Sequence, residues 1–375
     1  MMIVMIRVLQ SVSNMDRGGI ETMLMNFYRH VDREKVQFDF LCNKPAPGDY
    51  DDEIRALGGR IFISPGFMSY PKYVAYMTEL FREHPEYRMI HTHNGSLMLY
   101  ALVSAKKNNI PVRIAHAHAT AVPLGLKNEL KKLMRPLIKY VATDYWGCSD
   151  AAGRFYFSEK RWNGRHELIH NAIDADQFTF REEARDAIRR QYGFGDSFVL
   201  GHVGRLSPEK NQKKILEIFA EMRRLDPNTR LVMIGTGELE PTLRQTAAEL
   251  GLTDAVTFTG VQTNVNEWYC AFDAFIMTSF NEGLPVVAIE AQAADLPCVL
   301  SDTITPEVRV TDQMRFLSLN DDAAHWAKTI LDRKPQARVS RAAELTAAGY
   351  EIKSEALRMQ NLYLALYAAA KEKEL

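Results

Sequence analysis

The sequence predicts an α/β protein built from two doubly wound parallel-sheet domains that face each other across a central cleft. Three observations lead to that reading. Short apolar runs of strand length alternate with longer stretches of helical spacing, the pattern of βαβ units. The alternation stops at a polar, charge-rich stretch, 174–196, and then starts afresh. The chain has 375 residues, 46% hydrophobic and 25% charged, which is enough for two domains with full cores.

In chain order, the first series of strands is expected at 3–9, 37–41, 60–63, 89–93, 112–116, 145–147 and 167–169, with helices over 73–83 and 96–107 among them. The opening residues are apolar, but Arg7 breaks them and no small-residue cleavage site follows. They read as a buried first strand rather than an export signal. The second series is expected at 197–203, 231–234, 255–258, 274–277 and 298–300, with helices beginning near Asn211, Leu239, Asn264 and Val286. Strands this apolar, separated by helices, belong to sheets covered on both faces. The domains then run 1–173 and 174–353, and 354–375 is a closing helix able to pack back on the first domain.

Composition narrows the function. A net charge of −1 gives no overall pull toward nucleic acid or an anionic membrane. No apolar stretch is long enough to span a bilayer. Cys42, Cys148, Cys270 and Cys298 are widely scattered, so they form neither a disulfide framework nor a zinc site, and they suit a reducing cytoplasm.

Ligands of doubly wound sheets sit beyond the carboxyl ends of the strands, so the strand-to-helix loops carry the candidates. The most informative is 279–293, Ser-Phe-Asn-Glu-Gly-Leu-Pro-Val-Val-Ala-Ile-Glu-Ala-Gln-Ala. Pro285 suits the first position of a helix, and free amides at such a turn make an anion site. Glu282 in the turn and Glu290 on the helix would repel a phosphate, unless they accept hydrogen bonds from hydroxyls that flank it. Spacing equally allows Glu282 to help cap the helix and Glu290 to be a solvated helix residue.

The loop Gly204-Arg-Leu-Ser-Pro-Glu-Lys-Asn211 follows a strand on the same sheet edge. Arg205 and Lys210 there can neutralise a diphosphate, one as a planar fork and one as a point charge, or can be ordinary surface charges. With this pair present, no metal and no other cofactor is required. Gly235-Thr-Gly237 lacks the third glycine of a dinucleotide fingerprint and reads as a tight turn bringing backbone near a ligand. In the first half, Gly18 and Gly19 lie between the first strand and its helix. Two histidine pairs, His91 with His93 and His116 with His118, end strands. Each pair shares a strand face, so four imidazoles can gather. They read mainly as core or supporting histidines, with one reaching the site; a metal centre is the alternative.

Taken together, these motifs resemble glycosyltransferase family four, the retaining GT-B enzymes, over nearly the whole chain, and most closely the branch that builds capsule and exopolysaccharide. The resemblance rests on Gly18-Gly19, the strand-end histidine, Asn171-Ala-Ile-Asp174, the Gly204–Asn211 loop, Glu282 and Glu290 eight apart, and Ala294–Asp302 followed by Pro306-Glu307. It implies a nucleotide-sugar donor, expected to be a UDP-sugar, and a glycan or lipid-linked acceptor. Arg205 and Lys210 would hold the diphosphate, Glu282 the transferred sugar and Glu290 the ribose. Gly204, Gly283 and Leu284 would line the phosphates, and Gly260, Val261 and Gln262 would meet the base. Gly18 and Gly19 would face phosphates and acceptor, and His118 would lie near the reacting sugar. Asp295 stands where that family usually has glycine, and Asn281 where Phe or Tyr is frequent. A phosphorylase, a nucleotide-sugar hydrolase or epimerase, and a non-catalytic partner subunit are the competing readings on the same fold.

One further stretch, 126–141, places Leu126, Leu130, Leu133, Met134, Leu137, Ile138 and Val141 on one helical face and lysines and Arg135 on another, although Pro136 breaks it. It reads as a surface helix of its own domain or as a peripheral membrane contact.

Overall fold

The computed structural model describes residues 5–67, 69–119, 132–163, 166–333 and 337–373. The chain forms two compact units, Met1–Ala172 with Ile352–Leu375, and Ile173–Glu351.

The first unit is a seven-stranded sheet of β1 (Ile6–Val12), β2 (Val36–Cys42), β3 (Ile61–Ile63), β4 (Met89–Thr92), β5 (Val112–Ala117), β6 (Asp144–Gly147) and β7 (His166–Leu168), ordered β3-β2-β1-β4-β5-β6-β7. The second is a six-stranded sheet of β8 (Phe198–Val203), β9 (Thr229–Ile234), β10 (Val256–Gly260), β11 (Ala274–Met277), β12 (Cys298–Ser301) and β13 (Met314–Leu317), ordered β10-β9-β8-β11-β12-β13. The strand pairs are parallel. Both sheets are therefore doubly wound, as the alternating pattern predicts. In each, the order reverses at the first strand, where β1 lies between β2 and β4 and β8 between β9 and β11.

Two strands depart from the sequence reading. The first strand runs Ile6–Val12 and so ends three residues beyond the expected 9, because it pairs along its whole length with β2, Ile6 opposite Val36 and Val12 opposite Cys42; residues 3 and 4 of the expected strand lie outside the described ones. β13 was not expected. It is an edge strand with only Met314 buried, so it carries almost no apolar signal. The C-terminal helix, Ile352–Glu372, lays Ile352, Ala356, Met359 and Tyr363 into the core of the first unit beside Phe38 and Trp146.

Asp295 shows why a non-glycine residue is tolerated there. It follows the helix Val286–Ala293 with φ +52, the left-handed conformation that closes a helix, and its neighbour Leu296 donates back to the Ala291 carbonyl. Its carboxylate accepts from Val339 N at 2.9 Å and Arg341 Nε at 2.7 Å, so side-chain bonds offset what glycine would gain from having no Cβ.

The amino end of the second sheet is held by Asp273, which is buried. It accepts from Arg185 at 2.7 Å, Arg189 at 3.2 Å and the Val199 amide at 2.8 Å. Replacing Asp273 with Ala strands two guanidinium groups in the fold and should cost about 3–5 kcal/mol. Urea unfolding followed by tryptophan fluorescence measures this, and a change below ~1 kcal/mol would show the arginines find other partners.

Candidate active site

In the second unit the strand order reverses at β8, and doubly wound folds bind ligands beyond the carboxyl ends of the strands at such a point, here those of β8 and β11. The loop after β8 holds Gly204, Arg205 and Lys210; the loop after β11 holds Glu282, Gly283 and Leu284. Hydrogen bonds join them. Phe280 N donates to Glu209 O at 2.9 Å, Thr278 Oγ1 to Asn211 O at 2.8 Å, and Lys210 Nζ to Glu282 Oε1 at 2.5 Å. The Lys210–Glu282 pair is only partly exposed. Pro285 starts the helix Val286–Ala293 without a side-chain cap, so Glu282 is an ion-pair partner and not the cap that spacing allowed.

Arg205 is different. Its side chain is 75% exposed and its nearest acidic partner, Glu238, lies 3.7 Å away, which leaves the guanidinium able to swing. The backbone beneath it is fixed. Gln212 Nε2 donates to Arg205 O at 2.7 Å and to His202 Nε2 at 3.3 Å, and His202 Nδ1 donates to Ile276 O at 3.0 Å. Burial lowers the His202 pKa to about 4, so the ring stays neutral and holds Gln212 as an acceptor.

Glu290 sits one helical turn beyond Pro285. Its Oε2 accepts from the Tyr269 hydroxyl at 2.9 Å, and burial raises its pKa to about 7. It is thus not the solvated helix residue that spacing allowed. Val261 is 62% exposed and follows Gly260, whose φ is +70.

The glycines divide by what surrounds them. A Cβ on Gly235 would lie 2.1 Å from Gly204 O, and one on Gly237 would lie 2.2 Å from Leu206 O. Those two glycines let the loop after β9 pack on the loop after β8, so the tight turn expected there serves backbone packing. A Cβ on Gly204 would meet only ordinary contacts, and one on Gly19 would meet nothing within 4 Å. A Cβ on Gly18 would meet only the movable carboxylate of Glu21.

In the first unit Gly18 and Gly19 follow β1, and His118 follows β5. The four histidines do gather. His93 Nδ1 and His118 Nε2 are 2.9 Å apart, and His91 Nε2 and His116 Nδ1 are 3.1 Å apart. Burial lowers all four pKa values, that of His118 to about 3, so all are neutral. His91, His93 and His116 each place a ring nitrogen within 4.8 Å of the others, as a metal would require. Ring-to-ring hydrogen bonds already engage His91 Nε2, His116 Nδ1 and His93 Nδ1, which fits a supporting network.

Sequence reading missed the supporting groups, namely His202, Gln212, Thr278 and Tyr269. Each is ordinary in its own segment and becomes informative only through the partner that folding brings to it. Of the stretch 126–141, residues 126–131 lie outside the described ones. In the rest, Arg135–Tyr140 is a 3₁₀ turn; Met134 and Ile138 are buried, while Leu133 and Leu137 are exposed. The apolar residues therefore split between two faces instead of sharing one.

Each unit is thus a Rossmann-like parallel sheet, and in the second a pair of cations and a pair of carboxylates lie in or just after the loops that leave β8 and β11. Residues 184–343 match the family model described as "Glycosyl transferases group 1", and residues 17–177 match "Glycosyltransferase Family 4". EpsF of Bacillus subtilis, a protein assigned to the glycosyltransferases, is 35% identical over 368 residues, 95% of this chain and 96% of that one. An Escherichia coli α-1,3-galactosyltransferase, named for UDP-Gal and a GlcNAc-diphosphoundecaprenol, is 23% identical over 76% of each chain. Among solved structures, Anabaena HepE in complex with UDP and glucose matches with TM-score 0.73 at 17% identity, covering 99% of this chain and 100% of that one. Sucrose-phosphate synthase of Thermosynechococcus elongatus matches with TM-score 0.76 at 18% identity, covering 97% and 100%. At that identity the two structures support the fold alone. The chain belongs to glycosyltransferase family 4 and is EpsF-like.

The raised pKa of Glu290 has a consequence for stability. In the folded protein the carboxyl holds its proton up to about 7, against an ordinary 4.5. Between those values the folded state binds more proton than the unfolded one, so Glu290's contribution falls as pH rises through that window. Glu290→Gln should flatten that part of the stability–pH curve, measured by urea unfolding from pH 4.5 to 7.5. An unchanged slope would place the proton elsewhere.

Proposed function

We propose that this chain moves a hexose from a UDP-sugar to a glycan or lipid-linked sugar acceptor during capsule or exopolysaccharide assembly. The transfer retains configuration and uses no metal ion. The observation that carries the reading is the pairing of the loops after β8 and β11, which sets Arg205, Lys210 and Glu282 at one switch point. The E. coli relative's name supports a UDP-linked donor, and the motif resemblance to the capsule and exopolysaccharide branch supports that setting.

In this reading the bond between the anomeric carbon and the diphosphate oxygen breaks with its electron pair moving to the oxygen. Arg205 and Lys210 stabilise that growing negative charge, aided by amides around Gly204, Gly283 and Leu284. Glu282 receives the sugar hydroxyls and turns Lys210 toward the phosphates. Glu290 accepts from the ribose diol, and Gly260 to Gln262 meet the base. Gly18 and Gly19 let the acceptor and phosphates come close to backbone, and His118 accepts from a hydroxyl near the reacting carbon. The acceptor hydroxyl attacks the same sugar face within the ion pair and passes its proton to the departing diphosphate oxygen. A phosphorylase would instead use orthophosphate, and release of sugar phosphate would expose that alternative.

Release of nucleoside diphosphate should continue in EDTA at matched ionic strength. Arg205→Ala or Lys210→Ala should lower turnover by about 10²–10³, with Arg205→Lys a partial rescue because an ammonium cannot reproduce the fork. Activity lost to EDTA and restored by Mg²⁺ would end the metal-free mechanism. Glu290→Ala should weaken donor binding by about 1.5–3 kcal/mol in calorimetry. A thermal-shift panel of UDP-, GDP- and ADP-sugars identifies the base, since saturation at a hundred times Kd adds ~2.7 kcal/mol.

A lipid-linked acceptor calls for a membrane-facing surface. Among the described residues no helix is long and apolar enough to cross a membrane. Leu133, Leu137 and Tyr140 are exposed by 71%, 49% and 62%, beside Arg135 and Lys139. Apolar side chains interleaved with cations suit an interfacial contact. The protein should sediment with anionic vesicles at low salt and less so after Leu133→Ser with Leu137→Ser. No binding at low salt would remove the membrane contact.

A further inference from the structure

The four histidines of the first unit, Gln10 and Tyr363 form one directed chain of hydrogen bonds. Gln10 Nε2 donates to the Tyr363 hydroxyl at 3.2 Å, and Gln10 Oε1 faces His93 Nε2 at 2.9 Å. Tyr363 Oη lies 2.7 Å from His91 Nδ1. With the two ring-to-ring bonds, the order is His118, His93, Gln10, Tyr363, His91, His116. Gln10 lies on β1, and Tyr363 lies on the C-terminal helix, where both are buried.

A neutral imidazole carries one hydrogen, and an amide presents one donor end and one acceptor end. These two facts leave the chain only two consistent states. Because the Gln10 oxygen is an acceptor, His93 must carry its hydrogen on Nε2. Its Nδ1 must then accept, so His118 carries hydrogen on Nε2 and leaves Nδ1 bare. On the other side, Tyr363 accepts from Gln10 and donates to His91 Nδ1. His91 then donates from Nε2 to His116 Nδ1, and His116 keeps its hydrogen on Nε2. Reversing the amide reverses every member. The four rings are all protonated on Nε2, or all on Nδ1.

Both free ends of the chain are buried atoms without a partner among the described residues, His118 Nδ1 and His116 Nε2. We infer that Gln10, held by Tyr363 of the C-terminal helix, is a positioning residue that fixes the hydrogen of His118 on Nε2 and presents Nδ1 as a bare acceptor for a sugar or acceptor hydroxyl. This rests on the reading that His118 lies beside the reacting sugar. The neutrality it requires follows from the burial that depresses all four imidazoles. A bare nitrogen held in place favours a hydroxyl donor over a bare carbonyl, which ties the C-terminal helix to substrate selection.

The test uses ¹⁵N-labelled full-length protein and two variants. Long-range ¹H–¹⁵N spectra report which nitrogen of each ring carries hydrogen. In the parent, His91, His93, His116 and His118 should all be Nε2–H. Gln10→Glu supplies two acceptor oxygens, so His93 and His118 stay Nε2–H, but Tyr363 turns to donate to the carboxylate. His91 and His116 should then switch to Nδ1–H. Gln10→Met removes both ends, should give mixed tautomers at His118 and should lower kcat/KM roughly tenfold. Gln10→Glu should restore most of that loss. A His118 that is Nδ1–H in the parent, a His116 unmoved by Gln10→Glu, or one tightly held zinc ion on these rings would overturn the network. Tautomers as expected with kcat/KM untouched by Gln10→Met would instead overturn the placement of His118 beside the reacting sugar.

Discussion

In a parallel sheet every strand ends on the same edge, and reversal of strand order parts two neighbouring loops at that edge. The site of the second unit depends on this one constraint. β9 and β11 flank β8, so the loops leaving β8 and β11 run to opposite faces of the sheet, with a gap opening between them. Gly204, Arg205 and Lys210 come to one side of the gap, Glu282 to Leu284 to the other. Register fixes the rest. Phe275 pairs with Gly201 and Cys298, so the loops after β8, β11 and β12 meet at one level, and Ser301 and Thr303 can both donate to Ser279 O at 2.7 Å.

Electrostatics then acts on a frame already set. The Lys210–Glu282 pair lies in a partly buried place where its attraction is screened less than at the surface, whereas Arg205, three-quarters exposed, has only a distant partner. The two cations therefore differ in kind, one held in position and the other mobile. Glu290 differs again, since burial and a single tyrosine hydroxyl leave its proton near neutrality. Arg205, the Lys210–Glu282 pair and Glu290 are thus tuned by three separate surroundings.

The first unit repeats the topology with a different chemistry. Its edge carries neutral imidazoles linked ring to ring, and the hydrogen on each ring is decided by its neighbour. Such a network conveys orientation without charge. The closing helix, which returns to this unit after the whole second unit has intervened, supplies Tyr363 to it.

The sequence by itself determined the doubly wound class and nearly every central strand, because apolar runs of strand length such as β2 and β11 are buried on both faces and leave a continuous signal. It also singled out Arg205, Lys210, Glu282 and Glu290, since charged residues in strand-to-helix loops of such a fold are conspicuous. The edge strand β13 and the end of β1 were hidden, because pairing with a neighbour, and not local apolarity, sets their extent. Only the tertiary structure decided that Gly235 and Gly237 serve backbone packing, that Glu282 pairs with Lys210, and that Gln10 and Tyr363, 353 residues apart, share a hydrogen bond. The physical reason is common to all three. A strand or a turn is specified by its own residues, whereas a contact across a sheet edge depends on which strands become neighbours, and that is set by the packing of the whole unit.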